Sequence, residues 1–157
     1  MQQVQFDPFQ RFNHDWALVT AGQKDCFNSM TISWGSMGTI WNRPIITVYV
    51  RPDRYTWQFL NQSDIFTVSF FPEQYRQALT VMGRTSGRDC NKVQLAGLTP
   101  VEAGGSMSFR EAEQTYVCKK IYMNQLNRDA VPEFAKQIYT NGVEPHYLIM
   151  GEVVQTL

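Results

Sequence analysis

Along this chain hydrophobic residues recur mostly with a period of two, over short stretches, and rarely with the period of a helix. Trp16-Ala17-Leu18-Val19-Thr20 reads as a strand stopped by Ala21-Gly22. Gln23 to Asp25 makes a turn and Asn28 to Trp34 a second strand, so the two predict a hairpin. Residues 35–44, GSMGTIWNRP, carry two glycines and a proline and read as a loop that leads into a buried strand, Ile45 to Val50. Trp57, Phe59 and Leu60 mark a short helix, and Ile65 to Phe71 another strand. Pro72-Glu73 opens a helix to about Met82, on the helical spacing of Tyr75, Ala78, Leu79 and Met82. Residues 83–92, GRTSGRDCNK, form a polar loop entering a short helix near Lys92, and EAGGSMS, residues 102–108, a turn. Glu113 to Leu126 alternates as a long strand. Tyr116, Cys118, Lys120 and Tyr122 share one face, and Val117, Lys119, Ile121 and Met123 the other. Asp7-Pro8 opens a short helix through Phe12, Val131 to Lys136 makes a helical turn, and His146 to Val154 is the last strand.

Strands dominate, with two or three helices between them at irregular spacing. This predicts a mainly β fold with helical insertions, a barrel or a sandwich, rather than a doubly wound α/β sheet. The 157 residues suit a single domain, residues 1–157, with one core. Neither repeats nor internal linkers interrupt it.

Composition removes several classes of function. Fourteen basic and fourteen acidic residues cancel, and no Lys/Arg tract or basic helix is present, so nucleic acid is not expected as a partner. The opening MQQVQFDPFQRF has no apolar leader and no run reaches membrane-spanning length; a cytoplasmic protein away from membranes is expected. Cys26, Cys90 and Cys118 are odd in number and widely spaced, which predicts neither a metal site nor a disulfide framework. His14 and His146 read as structural. Aromatic residues, 13% of the chain, are frequent enough for some to serve a ligand site or a subunit interface.

Two stretches hold candidate chemistry. In NSMTISW, alternation puts Ser29, Thr31 and Ser33 on one strand face and Met30, Ile32 and Trp34 on the other. Three hydroxyls on one face make either an ordinary solvent face or a ladder that hydrogen-bonds a polar ligand. In RPDRYT, Thr56 is a candidate N-cap for the helix that follows, where free N–H groups and the helix dipole favour an anion. Arg51 and Arg54 add charge-assisted donors suited to phosphate, and alone they would read equally well as solvated arginines. If the strands are neighbours, the two stretches form a phosphate cup. SGRDCNK adds Ser86, Gly87, Arg88 and Lys92, with Gly87 allowing close backbone approach. The dinucleotide, P-loop and nucleophile-elbow fingerprints are missing.

NSMTISWG, WNRP, VRPDRYT and SGRDCNK, in this order and spacing, resemble the flavin reductase-like family of FMN-binding split barrels, and within it the flavoredoxin-like branch. The resemblance runs from about Trp16 to Val154. It implies a split β-barrel and a homodimer with FMN near the subunit interface. By resemblance, Ser29, Met30, Thr31 and Ser33 border the isoalloxazine and phosphate, and Trp41 and Asn42 face the ring. Arg51, Arg54, Tyr55 and Thr56 form the phosphate turn, and Ser86, Gly87, Arg88 and Lys92 close over the flavin. The chemistry is then the cofactor's, and no catalytic side chain is assigned. Electrons would come from NAD(P)H or a protein donor and go to flavin or another small-molecule or protein acceptor. Many short-chain members carry Gly-Asp-His before the last strand, linked with nicotinamide use. Here the stretch is Glu144-Pro145-His146, which keeps open an electron carrier without NAD(P)H turnover of its own.

Overall fold

Short alternating strands with one buried face need partners on both sides, and this chain supplies them by closing most of its strands into one sheet. The computed structural model describes residues 6–157. The first five residues, part of the stretch without an apolar leader, lie outside the described residues. Seven strands form an antiparallel sheet in the order β2-β1-β5-β8-β9-β4-β3. They are β1 (Ala17–Gln23), β2 (Cys26–Ile32), β3 (Gly35–Ile40), β4 (Arg43–Val50), β5 (Ile65–Phe70), β8 (Gln114–Gln125) and β9 (Tyr147–Thr156). A separate hairpin pairs β6 (Pro100–Ala103) with β7 (Ser106–Phe109). The helices are α1 (Pro8–Gln10), α2 (Tyr55–Gln62), α3 (Arg76–Arg84), α4 (Lys92–Ala96) and α5 (Glu133–Lys136). This is the expected mainly β architecture with helical insertions.

The predicted β1–β2 hairpin is present, with Val19 opposite Met30 and Thr20 opposite Ser29, but Ala21-Gly22 do not stop β1, which pairs on to Gln23, and β2 spans Cys26–Ile32 rather than Asn28 to Trp34. β1 is buried on both faces and serves two cores. Val19 points into the barrel with Phe66, Phe70 and Ile149, while Leu18 packs with Leu79, Met82 and Phe109 under the helices. Buried hydroxyls tie the small hairpin to the sheet: Ser69, Ser108 and Thr115 bond one another at 2.7–3.0 Å. β8 alternates on either side of two irregularities, at Val117/Cys118 and Lys120/Tyr122, and loses its alternation between them. The first turns both Val117 and Cys118 inward.

Three further expectations need correction. Residues 35–44 are not a loop. They form β3, a tight turn and the start of β4, with Trp41 and Asn42 at φ of 51° and 56°, the left-handed values of a two-residue hairpin turn. Gly35 belongs to the strand because Phe12 occupies its side-chain space; a Cβ there would lie 2.5 Å from the ring. The helix after Pro72 starts late. Pro72 is extended, Glu73–Tyr75 make a single 3-10 turn, and α3 begins at Arg76. Residues 102–108 are a hairpin, with Gly104-Gly105 as its turn.

Candidate functional site

The N-terminus of α2, the C-terminus of α3 and the loop into α4 converge beside β2. There they enclose a cup of about 210 Å³ lined by Asn28, Arg54, Thr56, Ser86, Arg88 and Lys92, among others. Arg54 Nη2 donates to the Gly83 carbonyl at 2.8 Å, and Lys92 Nζ to the Met82 carbonyl at 2.9 Å. Arg88 stacks over Tyr55, 4.8 Å from the ring centroid, and reaches the Asp53 carbonyl at 3.4 Å. Its backbone N–H bonds Ser86 Oγ at 3.2 Å. The loop is pressed close: a Cβ on Gly87 would lie 2.3 Å from Asn28 Oδ1 and 3.1 Å from Tyr55.

Electrostatics give the cup its character. Among the described residues, Arg54, Arg88 and Lys92 have no carboxylate within ion-pair distance. The last carbonyls of α3 offset about half a charge. Four cations, Arg54, Arg84, Arg88 and Lys92, therefore line one pocket with a single carboxylate, Asp53, which Arg51 engages. Burial, with Arg54 as a second cause, lowers Lys92 to about 8. Burial and then Arg51 lower Arg54. Cations held this way make the cup a candidate anion site.

The remaining candidates are distributed less simply. Thr56 is not the cap. Arg54 occupies that position, and Thr56 is buried in the first turn, where its hydroxyl accepts from Asn28 Nδ2 at 2.7 Å. Asn28 was missed, since nothing local distinguishes a polar residue in a strand. Arg51 turns from the cup to Asp53, with Nε 3.1 Å from Oδ1. The hydroxyl ladder does not face a ligand as a set. Ser29 is fully buried and accepts from Thr20 Oγ1 at 2.8 Å, and Thr31 Oγ1 donates to the Leu79 carbonyl of α3, which covers that face. Trp41 and Asn42 stand exposed at the β3–β4 turn and line neither the cup nor the cleft described next.

Met30, Thr31 and Ser33 do share a second opening. It is a cleft of about 170 Å³ completed by Ile32, Trp34, Tyr49 and His146. His146 is thus not simply structural. Its ring lies 4.8 Å from Trp34, and Nδ1 is 2.8 Å from Tyr139 Oη. Burial first, and then the Arg51 charge, lower its pKa to about 4. The imidazole is therefore neutral at physiological pH, and its NMR signals are expected to hold constant from pH 8 to about 5 and to move only near 4. A midpoint close to the ordinary value of about 6.5 would place the ring in water instead.

Comparison with known proteins assigns this frame. The sequence matches the flavin reductase like domain over residues 9–156. The chain belongs to the flavin reductase-like family. Solved structures agree on the fold. An FMN-binding protein from Thermus thermophilus, with bound 1-cyclohex-2-enone, has a TM-score of 0.71 at 21% identity, covering 100% of this chain and 80% of its own. Flavoredoxin from Methanosarcina acetivorans has a TM-score of 0.72 at 16% identity, covering 100% and 75%. A split-barrel protein from Shewanella frigidimarina has 0.71 at 16%, covering 90% and 65%. The expected split barrel is thereby established. No curated protein sequence matches significantly. Among the described residues, no helix of this flavin reductase-like chain is long and apolar enough to cross a membrane. Its cup fits the phosphate of such a family's cofactor: Arg54, Arg84, Arg88 and Lys92 outnumber its one carboxylate, Asp53, which Arg51 engages, and the Gly87 backbone is pressed against Asn28 and Tyr55 where a Cβ would not fit.

Proposed function

We propose that this protein binds FMN and works as an oxidoreductase of the flavin reductase type. It would take electrons from NAD(P)H or a protein donor and deliver them to flavin or another acceptor. The observation that carries this reading is the cup in which Arg54, Arg88 and Lys92 converge without carboxylate partners. Arg54, Arg88 and Lys92 would hold the phosphate, with Ser86 as a further donor. The Met30–Ser33 segment would lie along the ring, and β2, the outer strand of its sheet, keeps one backbone edge free to do so. Trp34 and His146 would keep water from that side of the cleft. Redox chemistry at the ring is the cofactor's own, and these residues bind, orient and shield. A homodimer, as in the resemblance, would cover the exposed edge strand β3 together with Trp41.

Glu144-Pro145-His146 favours a second reading, an FMN electron carrier without nicotinamide turnover. Pro145 is buried, and its carbonyl accepts from Gln125, so this stretch is built into the fold. The protein purified without added flavin is expected to show, or to take up on titration, the absorbance of bound oxidised FMN. NADH and NADPH oxidation measured on the FMN-loaded protein separates the readings. Consumption of either nucleotide supports the reductase, consumption of neither supports the carrier, and a protein indifferent to FMN overturns both.

A further inference from the structure

A cavity of about 600 Å³ opens beside the cup, and two cysteines stand in its wall. Cys26 comes from the start of β2, and Cys90 from the loop that carries Ser86, Gly87 and Arg88 toward α4. Both are exposed. Alternation puts Cys26 on the same face of β2 as Asn28. The loop lies against that face, since a Cβ on Gly87 would be 2.3 Å from Asn28 Oδ1, and Cys90 follows Gly87 by three residues. The Cys90 carbonyl accepts from the Lys92 N–H at 3.0 Å. After burial and Arg54, which lower the Lys92 amine, Cys90 is the third influence on it and raises it. Cys118 is the contrast. It is fully buried, and burial pushes its thiol up to about 12, so it stays protonated and inert.

Little else holds the loop. Among the described residues, residues 86–91 hydrogen-bond beyond their own turn and the start of α4 only through Arg88, to the Asp53 carbonyl at 3.4 Å. We infer that Cys26 and Cys90 form an exchange site for low-molecular-weight disulfides, and that the bond they make ties the phosphate loop of the cup to β2. One cysteine thiolate attacks the small disulfide, forms a mixed disulfide with one half and expels the other half as a thiolate. The second cysteine then attacks the protein sulfur of that mixed disulfide and expels the remaining half. The two cysteines lose two protons and two electrons, and the small disulfide becomes two thiols. The reverse exchange reopens the bond, so the loop follows the ratio of thiol to disulfide around it. The exchange stands without the flavin reading above; its consequence for the cup rests on that reading.

The test uses the full chain with Cys26→Ser and Cys90→Ser, both at exposed positions outside the cup. Each protein is treated with glutathione disulfide, and intact masses and non-reduced peptides are measured. The wild type is expected to become two hydrogens lighter and to yield one peptide pair joined through Cys26 and Cys90, while each variant stops at a glutathione adduct. Unchanged thiols in the wild type, a lasting adduct there, or a bond through Cys118 or between chains overturns the site. FMN release is then timed from the reduced and the oxidised wild type. Fixing the loop should slow release about two- to tenfold, the worth of ordering one flexible side chain. Dithiothreitol should restore the faster rate, and neither variant should respond. Equal release from both forms overturns the link to the cup even where the bond forms. If neither form binds FMN, the flavin reading falls, and the masses alone decide the exchange site.

Discussion

Exchanging Lys92 for methionine is expected to weaken FMN binding about 10- to 150-fold, the loss of one charge-assisted hydrogen bond of about 1.5–3 kcal/mol. Methionine keeps most of the volume of a side chain that is 3% exposed, so the effect reads charge rather than collapse. Arg54→Ala should cost a similar factor. Arg51→Ala should change affinity less than threefold, because Arg51 does not line the cup and is paired with Asp53 at its rim. Lys92 titrates near 8, so wild-type affinity should decline as pH rises through that value, and Lys92→Met should flatten the decline. The same lowering has a sign for stability. The folded state holds the Lys92 proton less firmly than the unfolded chain, whose lysine titrates near 10.5. The flavin-free protein should therefore gain stability from this residue as pH rises from 8 toward 10.5, and the methionine variant should lose that gain. Flavin titration and urea unfolding across this range check both statements. Equal losses in all three variants would mean that the cup is not where the phosphate binds.

Phe70→Ala is expected to destabilise the fold by about 3–5 kcal/mol, the range for deleting a buried aromatic ring. Phe70 is fully buried, with the Phe12 ring at 5.3 Å and Tyr116 at 6.3 Å, and the Arg11 guanidinium stacks 4.9 Å from its centroid. Losing it opens the barrel where the N-terminal helical segment plugs in. Urea unfolding should show the midpoint falling at an unchanged slope. Phe134→Ala, at a position 81% exposed, should stay within about 0.5 kcal/mol and serves as the control.

Much of the molecule was legible in the sequence, and the failures have physical causes. Alternating or apolar runs located β1, β2, β4, β5, β8 and β9, of which β1 and β5 are buried on both faces. They missed β3 because Gly35 and Gly38 read as breakers, whereas Gly35 is small to admit Phe12. The motif blocks brought Arg54, Tyr55, Thr56, Ser86, Gly87, Arg88 and Lys92 around one place. They could not separate Arg51 from Arg54, three residues apart and facing different partners. Period two put Ser29 and Thr31 on one face, but only the packing of α3 determines that the face is covered. Thr56 follows a capping pattern, yet its partner, Asn28, is on a strand 28 residues earlier, beyond the reach of any local rule.

The Tyr139–His146 contact joins the last strand to a segment of a different kind. Between Asn127 and Pro145 only Tyr139 and Pro145 are buried, while Phe134 and Ile138 are exposed. Arg128 ties the segment together through the Tyr139 and Val143 carbonyls. With so little buried apolar area, this stretch lies at the low end of the local stability scale, and it can open without the barrel. Each opening removes the phenol from the imidazole while the cleft and the cup stay assembled. Exposed substitutions in this loop are therefore expected to alter the hydrogen bonding of His146 without a change to the core.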